Sequence, residues 1–489
     1  MTLPVPTARP VRSSAITPTS HELPRVLSTA HTASVVVGII IGSGIFLVPR
    51  EMTAAVGSSA RVYLVWIVGG LLSLAGAMTY AEIASGRPRY GGEYAFLREA
   101  YGDTTAFLYM WTWVLIAKPA SMATIAAGLV RVLGTFAVFE FFSRPAIGPV
   151  LWSQLIAIGV TWLITTLNIV STLNSANVQL ALTWLKLAII AAVAGACLFF
   201  AGPHGLTANL HTAVATANTP FAGFMVALVA ALWAYDGWSD VTQLAGEIRH
   251  PRRSLPLALV GGVATVGLLY MLTNAAIAYV LPAAAIAHTD RPAADAMRLV
   301  AGPWGASLVS IGMAISIAST FVGSSLSGAR VPFAAARDGL FFRTFTHVSP
   351  RFHTPSTALV LQAVLSTLLL LALGRFQSLF SLAIFAEWLF YALTASTVFV
   401  FRRRDALEGR LTQAGTALTQ ELGATAEPPF RTPGYPIVPL LFIAAALLLL
   451  VFSFRAEFAA SLAGSAVILL GIPVHLVLRR RSGLAGLRK

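Results

Sequence analysis

Hydrophobic and polar residues do not alternate along this chain. They come in long apolar blocks joined by short polar connections. A helix needs roughly 20 apolar residues to cross a hydrocarbon core. Runs of about that length or more fall at 33–56, 62–84, 104–132, 149–170, 177–201, 220–246, 256–281, 303–331, 356–373, 377–402, 436–454 and 458–479. The pattern predicts an all-α polytopic membrane protein with twelve spans, numbered here in chain order. An even number of spans puts both termini on one side of the membrane. Residues 1–32, rich in Pro, Ser and Thr near the start, read as a disordered tail without a cleavable signal segment.

Two spans are interrupted. Span 1 carries Gly42-Ser43-Gly44 in its middle, and span 6 carries Tyr235-Asp236-Gly237 at a similar depth. Glycine is a poor helix residue, and freed backbone groups in lipid cost several kcal/mol unless something satisfies them. Broken helices at matching places in two halves of a chain point to a transport site. Here they open spans 1 and 6, which predicts two five-span repeats, 33–201 and 220–402. Five is odd, so the second repeat is inverted relative to the first. A connection at 403–435, the last two spans within 436–479 and a tail at 480–489 complete the chain.

Each break exposes N–H groups at the start of one half-helix and C=O groups at the end of the other. The N–H groups suit a carboxylate and the carbonyls suit an ammonium group, so two facing breaks form a cradle for an α-amino acid. The groups expected to take the carboxylate are those of Ser43, Gly44 and Ile45. The carbonyls of Ile40, Trp233 and Asp236 are expected to take the amine. Ser121, Met122, Trp233 and Tyr235 are expected to shape the pocket. The alternative is that the glycines only allow close helix packing.

Composition narrows the function class. The chain is 57% hydrophobic and 11% charged, with a mean hydropathy of +0.77, where soluble domains carry about a quarter charged residues. The net charge of +14 does not point to nucleic acid, because the basic residues sit at the ends of apolar runs. With the N-terminus inside, twenty-three Arg and Lys fall on the inner side and eight on the outer. The positive-inside rule then places both termini in the cytoplasm of a cell whose inner membrane holds the chain. The lone Cys197 lies in an apolar run and reads as packing. No histidine has metal-ligand spacing, no nucleophile–base constellation appears, and no cofactor is expected.

Several stretches together resemble the amino acid–polyamine–organocation superfamily, and within it the L-type amino acid transporters and their bacterial relatives. They are Gly42-Ser43-Gly44-Ile45-Phe46, Tyr80-Ala81-Glu82, Gly91-Gly92-Glu93-Tyr94-Ala95, Lys118-Pro119-Ala120-Ser121 and Asn177-Val178-Gln179. Trp233 to Trp238, Gly246-Glu247-Ile248, Leu272-Thr273-Asn274 and Ala336-Arg337-Asp338-Gly339 extend the match. The resemblance implies a leucine-transporter-type fold of two inverted five-helix repeats plus two helices. It implies sodium-independent transport of neutral L-amino acids by alternating access, as an exchanger. A proton-coupled symporter and a carrier of cationic amino acids or amines are the alternatives. Family members that bond a glycoprotein partner do so through a cysteine between spans 3 and 4. None occurs at 133–149, so no disulfide-linked heavy chain is expected. Trp233 stands where many members have Phe, which leaves substrate size open.

Ionisable and polar residues inside spans complete the expectations. An ammonium at the bilayer centre costs about 2.5–3.5 kcal/mol on insertion scales, so Lys186 must face oxygens. The resemblance gives it the place of a sodium ion, with the carbonyls near Gly38 and the hydroxyls of Ser319 and Thr320 as partners. Proton coupling is a second role open to it, and snorkelling the structural alternative. Lys118, just before Pro119, is expected to satisfy backbone groups or a carboxylate such as Asp236. Glu82 is expected to meet Arg330 or Arg337 in an inner gate, with a surface pairing of little consequence as the alternative, and Asn274 to bond across helices or line the pathway.

Overall fold

The computed structural model describes residues 23–373, 376–415, 429–456 and 458–486. The expectations for residues 1–22, 416–428 and 487–489 lie outside the described residues. Among the described residues the chain is helical, apart from a two-stranded antiparallel ribbon, Pro145–Ile147 with Val150–Leu151, between spans 3 and 4.

Among the described residues, ten helices are long and apolar enough to cross a membrane. They coincide with runs 1–8, 11 and 12 of the sequence. The remaining two runs lie in the helices Ser356–Leu373 and Phe376–Gly415. Burial orders the helices. In spans 1 and 3, 78% of the most apolar window is buried, against 22% in spans 4, 11 and 12. Span 1 therefore stands at the centre, packed against the helix Thr172–Phe199 of span 5, the helix Pro292–Gly328 of span 8 and the Trp238–Glu247 segment of span 6.

Two boundaries differ from the sequence reading. Span 1 starts at Thr29 rather than residue 33. Ser28 caps it, its Oγ accepting from His31 N at 3.3 Å. The preceding residues are ordered too, because Leu23 and Leu27 bury their side chains. Leu27 N donates to Glu247 O and Arg249 N donates to Leu27 O, both at 3.0 Å. The helix of span 10 runs on to Gly415, so the connection expected from residue 403 begins as helix.

Candidate substrate site

Span 1 is two helices, Thr29–Ile40 and Gly44–Val56. Between them Ile41 N still reaches Val37 O at 3.0 Å, and Gly42 N folds back to Ile40 O at 2.8 Å. The N–H groups of Ser43, Gly44 and Ile45 lead the second half, with no helical turn behind them to supply carbonyls. Span 6 breaks likewise. Its helix Pro220–Ala234 closes with Asp236 N donating to Trp233 O at 3.0 Å, and Gly237 turns left-handed at φ 98°. The 3-10 segment Trp238–Glu247 follows. Glycines let the breaks touch: a Cβ on Gly237 would sit 2.4 Å from Ile39 Cγ2, and one on Gly44 would sit 3.0 Å from Ala234 Cβ.

A cavity of about 110 Å³ lies at this meeting point. Ile40, Ser43 and Gly44 line it from span 1, Lys118 and Ser121 from span 3, Trp233 and Asp236 from span 6, and Thr320 from span 8. Three of the expected site residues, Ile45, Met122 and Tyr235, do not line it. Ile45 buries its side chain in the core, leaving only its N–H at the head of the half-helix. Met122 packs with Phe142 and Ile164 on the far side of span 3. Tyr235 turns away to Trp66 and Tyr270, its hydroxyl donating to Trp66 O at 3.3 Å. The Ile40 carbonyl, expected to face an amine, already accepts from Gly42 N and from the Tyr270 hydroxyl, the latter at 3.0 Å.

Lys186 is completely buried. Its Nζ donates to Gly38 O and Ile41 O, each at 2.7 Å, and to Ser316 O at 3.1 Å. One ammonium thus ties span 5 to the break in span 1 and to span 8. The hydroxyl partners expected of it are otherwise engaged. Thr320 Oγ1 donates to the span 1 carbonyls themselves, Gly38 O at 3.1 Å first among them. Ser319 Oγ donates to Gln179 Oε1 at 3.3 Å. A lysine reaching the carbonyls directly satisfies all three of its protons.

Lys118 meets Asp240 rather than Asp236. Its Nζ lies 2.6 Å from Asp240 Oδ2 and donates to Ser324 Oγ at 2.8 Å. The cause is local. The chain makes a π turn at Trp113–Ala117, in which Lys118 N reaches back to Trp113 O, and this turns the side chain toward span 6. Asp236 instead accepts from the Tyr391 hydroxyl at 3.0 Å.

The expected gate partners are also rearranged. Glu82 pairs with Arg402, in two bonds of 2.7 and 2.8 Å, and accepts from Thr432 N at 2.8 Å. Arg330 is fully buried and pairs with Glu247 at 2.7 and 3.0 Å. Arg337 lies 5.8 Å from the ring centres of Tyr90 and Phe333. Bidentate Arg–carboxylate geometry is short-range and directional, so the helix ends that truly adjoin decide the pairing. Asn274 bonds within its own helix, donating to Tyr270 O at 2.8 Å, and does not line the cavity.

Three site residues were missed in the sequence: Asp240, Glu387 and Tyr391, all of which line the cavity. Glu387 left a readable signal as a lone carboxyl inside an apolar run. Glu93, noted only as part of a motif, lies completely buried on the connecting helix Glu93–Tyr101. Tyr80 donates to it at 2.9 Å and Tyr109 donates to its other oxygen. Burial outweighs these hydroxyls and pushes its carboxyl up to about 7.

A family model described as amino acid permease matches residues 27–474. The chain is similar to the serine/threonine exchanger SteT of Bacillus subtilis, 30% identical over 92% of this chain and 95% of that one. It is 30% identical to the b(0,+)-type amino acid transporter 1 of Mus musculus over 76% of this chain and 75% of that one. It is 27% identical to the cystine/glutamate transporter of Pongo abelii over 93% and 85% of the two chains.

Proposed function

This chain belongs to the amino acid permease family, within the amino acid–polyamine–organocation superfamily and similar to its L-type members, and we propose that it exchanges small neutral L-amino acids by alternating access without sodium. It is a membrane transporter of amino acids and not an enzyme. The observation that carries the finer reading is the cavity of about 110 Å³ between the two breaks. Free N–H groups at Ser43 and Gly44 suit a carboxylate. A water needs roughly 10–15 Å³ of such space, so the cavity has room for a small amino acid rather than for a single water or ion. Trp233 on its wall supports the same small size. The name of the Bacillus subtilis relative, a serine/threonine exchanger, agrees with it.

Sodium independence is supported by Lys186. Its ammonium fills a nest of backbone oxygens in which a cation would otherwise sit. The reading carries twelve crossings in two inverted five-span repeats, both termini cytoplasmic in an inner membrane, and no disulfide-linked partner. A second reading, a carrier of cationic amino acids, is favoured by the three carboxyls at the cavity, Asp236, Asp240 and Glu387.

Counterflow into proteoliposomes preloaded with unlabelled L-serine tests the proposal. Labelled L-serine is expected to accumulate equally in sodium and in potassium buffers. Small neutral competitors should suppress it, and L-lysine and L-arginine should not. Accumulation of labelled L-lysine in place of L-serine would establish the second reading instead. No exchange of any amino acid would overturn both.

A further inference from the structure

The cavity holds more carboxyl than ammonium groups. Asp236, Asp240 and Glu387 line it, and among the described lining residues Lys118 is the single basic side chain. Lys118 is committed to Asp240 at 2.6 Å. Asp236 on span 6 and Glu387 on span 10 face each other within hydrogen-bond reach. The Tyr391 hydroxyl, one turn beyond Glu387, donates to Asp236 Oδ1 at 3.0 Å. Besides Lys118 and Asp240, Tyr80 of span 2 faces this pair, and behind Tyr80 stand Glu93 of the connecting helix and Tyr109 of span 3. None of these brings a positive charge. The cavity-lining residues of spans 1 and 8 are apolar, glycine, serine or threonine.

An ionised carboxylate only accepts hydrogen bonds. Two carboxyls that bond to each other therefore hold a proton between them. We propose that Asp236 and Glu387 form a proton-binding site in the wall of the substrate cavity, and that the amino acid binds while this proton is in place. The proton comes from cavity water, forms an O–H bond on one carboxyl and is shared with the other. Its loss leaves two anions in contact, which repel. They push span 10 away from the Asp236–Gly237 break and disturb the backbone that faces the substrate. The site stands on this geometry alone, and its coupling to an amino acid rests on the transport reading above.

Two measurements on the full-length purified protein test it. Infrared pH-difference spectra, which need no substrate, are expected to contain, besides the band of Glu93, a second carboxylic-acid C=O band that disappears on alkalinisation. The band should be missing in Glu387→Gln and in Asp236→Asn. It should shift but persist in Glu387→Asp, which keeps a carboxyl one methylene shorter. Glu93→Gln, which removes the other buried acid nearby, should leave it in place. Identical spectra for the wild type and Glu387→Gln would overturn the site. If neither amide variant folds, a Glu387→Asp band unmoved from the wild type would overturn it equally.

Binding of labelled L-serine is the second measurement. Above the titration of the band, affinity in the wild type is expected to fall about tenfold per pH unit, as for one required proton. In Glu387→Gln it should change less than about twofold over that range. A titrating band without L-serine binding would keep the proton site and sink the transport reading. L-serine binding that ignores pH in the wild type would sink the coupling.

Discussion

Two buried side chains carry the sharpest expectations at the scale of single residues. Lys186 supplies three hydrogen bonds to carbonyls of spans 1 and 8. In Lys186→Ala those carbonyls lose a charged donor, and an orphaned buried acceptor costs about 1–3 kcal/mol. A lowered melting temperature and at least about a tenfold loss of counterflow are expected, the latter because the span 1 break loses its brace; 1.4 kcal/mol is tenfold. Unchanged stability and transport would remove this role. Glu93 gives a pH signature. Its carboxyl stands at about 7 in the folded protein against 4.5 ordinarily. The folded state therefore keeps a proton that the unfolded chain releases between those values, and folding is favoured at the acid end. The resulting penalty is absent below about 4.5 and complete above about 7, on the order of 3 kcal/mol at 1.36 per unit. The thermal stability of the wild type should therefore fall as pH rises through this window. Glu93→Gln should flatten that part of the dependence.

The site is made at the scale of elements, by helices that stop early. Gly237 allows both a left-handed turn and the approach of Ile39. Gly237→Ala would strain the backbone by about 1–3 kcal/mol and drive a Cβ into Ile39. The protein is expected to melt at lower temperature, and its counterflow to drop below a tenth of the wild type, whereas a surface glycine such as Gly261, with open space around it, should tolerate alanine. The breaks themselves were legible, since Gly-Ser-Gly and Asp-Gly weaken a helix where lipid offers its backbone no other partner. Which neighbour faces the cavity was not legible. Ser121 lines it while Met122 does not, because the π turn at Trp113–Ala117 resets the phase of span 3. Asp240 reaches Lys118 because the chain after Gly237 winds as a 3-10 helix.

At the scale of the molecule, the N-terminal face is closed by paired helix ends. Glu82 holds Arg402, Arg330 holds Glu247, and Leu27 bridges to Ile248 beside Glu247. The cavity reaches the other way, toward Thr124 and Gly128 on span 3. Orientation in the membrane can be read with single cysteines, since the native Cys197 is buried. His250 and Ser143 are exposed on connections assigned to opposite sides. A membrane-impermeant maleimide is expected to label Ser143→Cys on intact cells and His250→Cys only after lysis. The reverse pattern would invert the topology.

Block hydrophobicity alone determined that this chain is a bundle of membrane helices, because a backbone in lipid must bond within itself. The two glycine breaks alone determined where a small polar guest could meet free backbone groups. The tertiary structure decided which side chains surround that guest. Asp240 for Lys118, Arg402 for Glu82 and Glu387 for Asp236 are pairings between distant spans. They depend on helix phase and on which ends adjoin. A π turn, a 3-10 segment and one left-handed glycine set those phases, and their angles are fixed by packing rather than by any spacing in the chain.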